Sequence, residues 1–224
     1  MSLKPKKASE IKKEQEKINA KMEKRKKVII DDLPPYMYVI SEGTKTEPNY
    51  IRGLAEVINT KFSDLSSGNR IVVKGTGRNT LSLLDYARKK VVKEFPQAEI
   101  VWLMYDKDDF PLDNFDNTQH SAEKKTSTRE FKVAWSNESI ELWFVLHFQE
   151  LIVNTGRERY KEILEELFEY QKNQTNIYDV LKDKTEVAIR RAKKQYKSYG
   201  ELPPSQRCPA TRVFELVEEL MRYL

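Results

Sequence analysis

Ile100-Val-Trp-Leu-Met-Tyr105 sets six apolar residues in succession and runs straight into Asp106-Lys-Asp-Asp109. A strand with one solvated face alternates apolar and polar side chains. An unbroken run rich in β-branched and aromatic residues predicts a strand covered on both faces, as in a parallel sheet held between helices. The chain before it repeats the theme. Residues 36–40 (YMYVI) are entered through Pro34 and Pro35 and end at Ser41-Glu42-Gly43; residues 70–74 lead into Gly75-Thr-Gly-Arg-Asn79. Each is followed by helical spacing. Thr46 is placed to cap a helix with Tyr50, Leu54, Val57 and Ile58 on its inner face, and Asn79 or Thr80 one carrying Leu81, Leu84, Ala87, Val91 and Phe95. A short helix over residues 114–124 and a strand over 131–135 come next. Alternating strands and helices predict an α/β fold, a small and mostly parallel sheet flanked by helices.

After Trp135 the pattern turns helical, over residues 138–148, 157–170, 177–196 and 210–223, with a turn-rich Tyr199-Gly-Glu-Leu-Pro-Pro-Ser205 before the last. The expected organisation is a basic arm (1–27), an α/β domain (28–150) and a helical C-terminal region (151–224) packed on that domain. Charge separates the arm from the rest. Met1 to Lys27 holds eleven Lys and Arg against four Glu, a net of +7; taking these from the 40 basic and 35 acidic residues of the chain leaves minus 2 for residues 28–224. A body of that charge is no general polyanion binder on the ground of being basic, and the arm reads either as an exposed, partly helical, solvated leader or as a phosphate-contacting arm whose binding would weaken steeply with salt. No apolar run approaches the roughly 18 residues of a membrane span, and Cys208 is the single cysteine. With no apolar leader segment either, the expected location is the cytoplasm, with no membrane partner.

In open α/β sheets ligands sit beyond the carboxyl ends of the strands. Three strand ends carry reactive chemistry: Glu42, the glycine-rich turn with Arg78, and Asp106 with Asp108. Residues two apart on an extended chain face one side, so Asp106 and Asp108 can converge on one ion while Lys107 points away. Carboxylates suit Mg²⁺ or Mn²⁺. Two carboxylates about 4 Å apart repel by roughly 4 kcal/mol at an effective dielectric of 20, which favours a cation among them. A solvated acidic turn before Phe110-Pro111 is the plainer alternative. Lys45 and Arg78 are candidate phosphate clamps that could equally serve as surface salt-bridge partners. Other chemistries lack their residues: no GxxxxGK[ST] loop, no GxSxG elbow and no Cys/His set for structural zinc. His147, in an apolar helical stretch, reads as a core or helix-end histidine.

Five segments together resemble the RloB-like family, restriction-linked proteins found beside type I restriction-modification genes. They are Val39-Ile-Ser-Glu-Gly-Thr-Lys-Thr-Glu-Pro-Asn-Tyr50, Gly77-Arg-Asn-Thr-Leu-Ser-Leu83, Val101-Trp-Leu-Met-Tyr-Asp-Lys-Asp-Asp109, Ala134-Trp-Ser-Asn-Glu-Ser-Ile-Glu-Leu-Trp-Phe-Val-Leu-His-Phe148 and Cys208-Pro-Ala-Thr-Arg-Val-Phe-Glu-Leu-Val217. Glu138-Ser139 departs from the Pro-Cys, or similar, of that family without touching the acidic positions. The resemblance implies a Toprim-like fold and the Toprim pattern of catalytic and metal-holding acids, which maps onto Glu42, Asp106 and Asp108. Analogy with overcoming-lysogenization-defect nucleases adds Glu47 and Glu141 as candidate ligands, with Ser136 near. For Glu47, stabilisation of a helix N-terminus is the competing role.

The expected function is therefore a Mg²⁺-dependent (or Mn²⁺-dependent) nuclease, or nuclease-like effector, cleaving phosphodiester bonds of DNA or RNA in phage defence. Two rivals fit the same residues: a non-catalytic protein binding nucleic acid or a partner protein of a defence locus, and a phosphatase using the Asp-x-Asp.

Overall fold

Strand β1 (Met37–Ser41) lies between β2 (Ile71–Gly75) and β3 (Ile100–Asp106) in one five-stranded sheet; β4 (Glu130–Asn137) follows β3, and β5 (Ala210–Thr211) borders β4, giving the order β2-β1-β3-β4-β5. The first four strands are parallel, and only β5 runs antiparallel to its neighbour. This is a computed structural model, and it describes residues 8–31, 33–107, 112–124 and 128–224.

The chain forms two units, residues 1–34 and 35–224. In the first, α1 (Ala8–Asp31) is a continuous helix whose residues 12–23 are all exposed, Ile18 and Met22 included. Its Lys, Glu, Gln and Ala content suffices for local helix, and residues 12–23 bury no apolar stripe.

The second unit has three layers. Along β1, Met37 and Val39 face one cluster while Tyr38 and Ile40 face the other; along β3, Trp102 and Met104 oppose Val101, Leu103 and Tyr105. This two-sided burial is why the β3 run is continuously apolar. One face is covered by α3 (Thr80–Glu94) and α4 (Leu112–Glu123), where Phe115 packs edge-on between Tyr105 and Trp135 at 5.3 Å from each. The other is covered by α2 (Thr46–Lys61) and by the C-terminal helices α5 (Glu141–Leu146), α6 (Arg157–Phe168), α7 (Ile177–Leu181), α8 (Thr185–Ser198) and α9 (Val213–Met221). Tyr50 of α2 is the hub of that layer, its ring meeting Trp143, Phe144, His147 and Tyr178. The C-terminal helices thus complete the same core. No helix among the described residues is long and apolar enough to cross a membrane.

Several local expectations change, beginning with Val57 and Leu81, which are exposed rather than on the inner faces of their helices. The helix expected from residue 210 starts at Val213, because Ala210 and Thr211 instead pair with Asn137 and Ser136 and cover the end of β4. The stretch 177–196 is split by a tight turn at Lys182–Lys184 into α7 and α8. Thr46 does not cap its own helix; its hydroxyl donates to the Asn173 side-chain carbonyl at 3.3 Å and ties the start of α2 to the turn after α6.

Candidate active site

Glu42 follows β1 directly, and its backbone is held from both sides. Its N–H donates to the Met104 carbonyl on β3, and its carbonyl accepts from Gly77 N–H, each at 2.8 Å. The Ser41 carbonyl accepts from both the N–H and the hydroxyl of Thr76. The loop after β2 is thereby stapled to the end of β1. Asp106 is the last residue of β3, in register with Ser136, and its Oδ2 accepts the Ile140 N–H at 3.1 Å. That bond fixes one carboxylate oxygen against the entry to α5. The next residue of α5, Glu141, is buried, and its Oε1 accepts the Tyr170 hydroxyl at 3.1 Å. Burial, reinforced by the Glu141 charge, holds the Tyr170 hydroxyl well above the usual tyrosine range, so it stays protonated and can donate.

Glu47, in the first turn of α2, is also buried, and its Oε1 accepts the Gly43 N–H at 3.1 Å. Its carboxylate thus folds back over the loop that carries Glu42. A Cβ at Gly43 would lie 2.0 Å from Glu47 Oε2, so any larger residue there would push the Glu47 carboxylate out of its present place.

These four acids, Glu42, Glu47, Asp106 and Glu141, line one pocket of about 520 Å³ beyond the carboxyl ends of β1 and β3. Four cations share that lining: Lys45 comes from the β1–α2 loop, Arg157 and Lys161 stand one turn apart on α6, and Lys172 follows α6. Lys161 also pairs with Glu158 at 2.7 Å. Acids suited to hard cations and cations suited to phosphate oxygens thus line the same pocket.

Of the residues singled out from the sequence, Glu42, Asp106, Glu141 and Lys45 meet in this pocket, and Glu47 joins them. Arg78 lines an adjoining pocket of about 380 Å³ that shares Glu42 with the first. Asp108 lies outside the described residues. Ser136 stays apart, buried against the Thr211 hydroxyl at 3.0 Å, and Ser139 takes its place in the lining. Among the described residues no three His, Cys, Asp or Glu side chains are grouped so as to hold a metal ion. The all-oxygen donor set of Glu42 and Asp106, on adjacent strands, nonetheless has the chemistry of a Mg²⁺ or Mn²⁺ site. Arg157, Lys161 and Lys172 were not foreseen; their one local signal is the Arg157/Lys161 spacing of four on a helix. Cys208 stands outside the pocket lining, half-buried, its thiol pushed up to about 11 by burial, which suits an inert cysteine.

The loop carrying Glu42 is packed as tightly as it is bonded. A Cβ on Gly75, at the end of β2, would lie 2.6 Å from the Gly43 carbonyl oxygen and 2.7 Å from Thr44 Cα, both backbone atoms. Gly75→Ala should therefore displace the loop, with a loss of about 1–3 kcal/mol. In a protein of this size that is a fall of roughly 4–8 °C in melting temperature for a 2 kcal/mol loss. A thermal melt reads it directly; an unchanged Tm would mean that the loop gives way freely.

A family model described as RloB-like protein matches residues 37–220. No curated protein and no solved structure matches the chain.

Proposed function

The chain belongs to the RloB-like family, and from that premise we propose that it is a Mg²⁺-dependent (or Mn²⁺-dependent) hydrolase of phosphodiester bonds, a nuclease or nuclease-like effector of phage defence with a Toprim-like site. The supporting observation is the mixed lining of the pocket, which brings Glu42, Asp106 and Glu141 together with Lys45, Arg157, Lys161 and Lys172.

Glu42 and Asp106 would hold the ion, with Asp108 as the third carboxylate and Glu141 as a further ligand. Such an ion, when bound, lowers the pKa of water and neutralises charge developing on phosphate. The chain's own residues do the rest. Arg157 can grip two non-bridging oxygens through its planar fork, while Lys45, Lys161 and Lys172 act as point charges that draw the phosphate toward the acids. Glu42 is placed either to hold the ion or to take a proton from the attacking oxygen at its carboxylate. Asp106 is kept in one orientation by the Ile140 N–H, and Glu141 by the Tyr170 hydroxyl, so neither has to reorganise when substrate arrives.

A second reading, non-catalytic binding of nucleic acid or of a partner protein, draws on the exposed and basic α1. One assay separates the two. The purified full chain is incubated with plasmid, single-stranded DNA and RNA in Mg²⁺, Mn²⁺ or EDTA. Cleavage is expected only with a divalent cation. Cleavage persisting in EDTA would remove the metal role, and salt-sensitive binding without turnover under every condition would favour the second reading.

A further inference from the structure

Glu42 is shared by two cavities, the 520 Å³ pocket with the four cations and the 380 Å³ pocket beside Arg78. Each falls in the range of ligand sites, roughly 300–1,000 Å³, and Glu42 lines both. We propose that the substrate crosses Glu42 as an extended strand, the reacting phosphate facing Lys161 and Lys172 and a neighbouring phosphate held by Arg78. The inference rests on the phosphodiesterase reading and narrows its substrate to a chain bearing at least two phosphates.

Three observations carry it. First, the distance between Arg78 and Glu42 is set by the backbone: Gly77 N–H donates to the Glu42 carbonyl, Thr76 binds Ser41 twice, and Arg78 N–H donates to the Thr76 hydroxyl at 3.2 Å. Second, the Arg78 guanidinium lies over the Tyr86 ring, 4.7 Å from its centroid, which restricts the side chain yet leaves its N–H donors available. Third, Arg78 differs from the other cations around that ring. Lys74 and Lys90 both pair with Glu94, at 2.6 and 3.2 Å, whereas Arg78 has no carboxylate partner among the described residues. An exposed, preoriented arginine without a counter-ion, tied to the end of the strand that leads into the pocket, is a phosphate contact rather than a surface salt bridge.

The test compares two substrates of the full chain in Mn²⁺: bis(p-nitrophenyl) phosphate, which has one phosphodiester and no neighbouring phosphate, and a fluorescein-labelled ten-nucleotide oligothymidylate. Arg78→Ala should lower kcat/KM for the oligonucleotide at least about tenfold more than for the small diester, a difference of roughly 1.4 kcal/mol in transition-state binding. Arg78→Lys should restore part of it. Oligonucleotide binding followed against salt should lose about 0.7 from its log–log slope, the value for one phosphate contact on a single strand. Equal losses on both substrates with an unchanged salt slope would overturn the strand path while leaving the hydrolase intact. A wild type that binds the oligonucleotide with the Arg78-dependent slope yet hydrolyses neither substrate would instead overturn the hydrolase and keep the path as a binding groove.

Discussion

Asp106→Asn and Glu42→Gln should each lower metal-dependent phosphodiester hydrolysis by on the order of 10²–10⁴-fold, the range that removal of a positioned acid or base commands. Both changes keep shape and remove charge. In Asp106→Asn the amide still presents a side-chain carbonyl to the Ile140 N–H, so the bond that orients this position survives the substitution. The fold should survive as well, because the backbone bonds of Glu42 with Met104 and Gly77 are untouched by the substitution. Four acids lining one pocket repel one another, but four cations line it too, so neutralising one acid should shift the metal-free melting temperature little. Added Mg²⁺ should then stabilise the wild type more than either variant, by mass action. Activity assays on oligonucleotides and melts with and without Mg²⁺ supply both readouts. Wild-type turnover by either variant would disprove the metal-site assignment, and equal Mg²⁺ shifts would place Glu42 away from any ion.

The second large effect lies outside the pocket. His147 is 2% exposed, and its Nδ1 stands 2.9 Å from the Trp143 carbonyl, to which it donates as the neutral tautomer. Its Nε2 is buried with no hydrogen-bond partner, so a second proton there would add an unsatisfied donor to the apolar layer. Burial pushes the imidazole down to about 4, aided by the charges of Arg191 and Lys184. An unfolded histidine protonates near 6.5. Between these values the unfolded chain binds a proton that the native chain refuses, so the contribution is complete above about pH 6.5 and is lost as pH falls toward about 4. The loss amounts to about 3 kcal/mol over that window. Urea unfolding at pH 7, 6, 5 and 4 should reveal it, and His147→Gln should flatten that part of the curve. A variant as acid-sensitive as the wild type would exclude His147 as the cause.

Much of the framework was legible locally. The run from Ile100 to Tyr105 predicts a strand buried on both faces, and the structure buries alternate residues in two separate layers. Once a parallel sheet is inferred, Glu42 and Asp106 fall beyond carboxyl ends of strands on the same side, so their meeting in one pocket follows from topology. Glu141 was reached through family resemblance alone. Its spacing marks nothing, and what turns it inward is Tyr170 of a later segment.

What the sequence by itself determined is whatever period and composition encode: strand or helix, buried or solvated, a charged arm before a near-neutral body. Tertiary structure decided the rest, because contacts between distant residues leave no trace in a period of 2 or 3.6. The Ala210-Thr211 pair is too short for its composition to mark a strand; it extends because the end of β4 offers backbone groups that need partners. The Thr46 hydroxyl abandons its own helix because the turn at Asn173 brings an acceptor within reach. Arg157, Lys161 and Lys172, more than a hundred residues from Glu42 along the chain, line the pocket only because α6 packs beside α5 and so carries them to the strand ends. A lysine on a surface helix and a lysine that lines a pocket with four carboxylates look alike in sequence, and only the packing of that helix separates them.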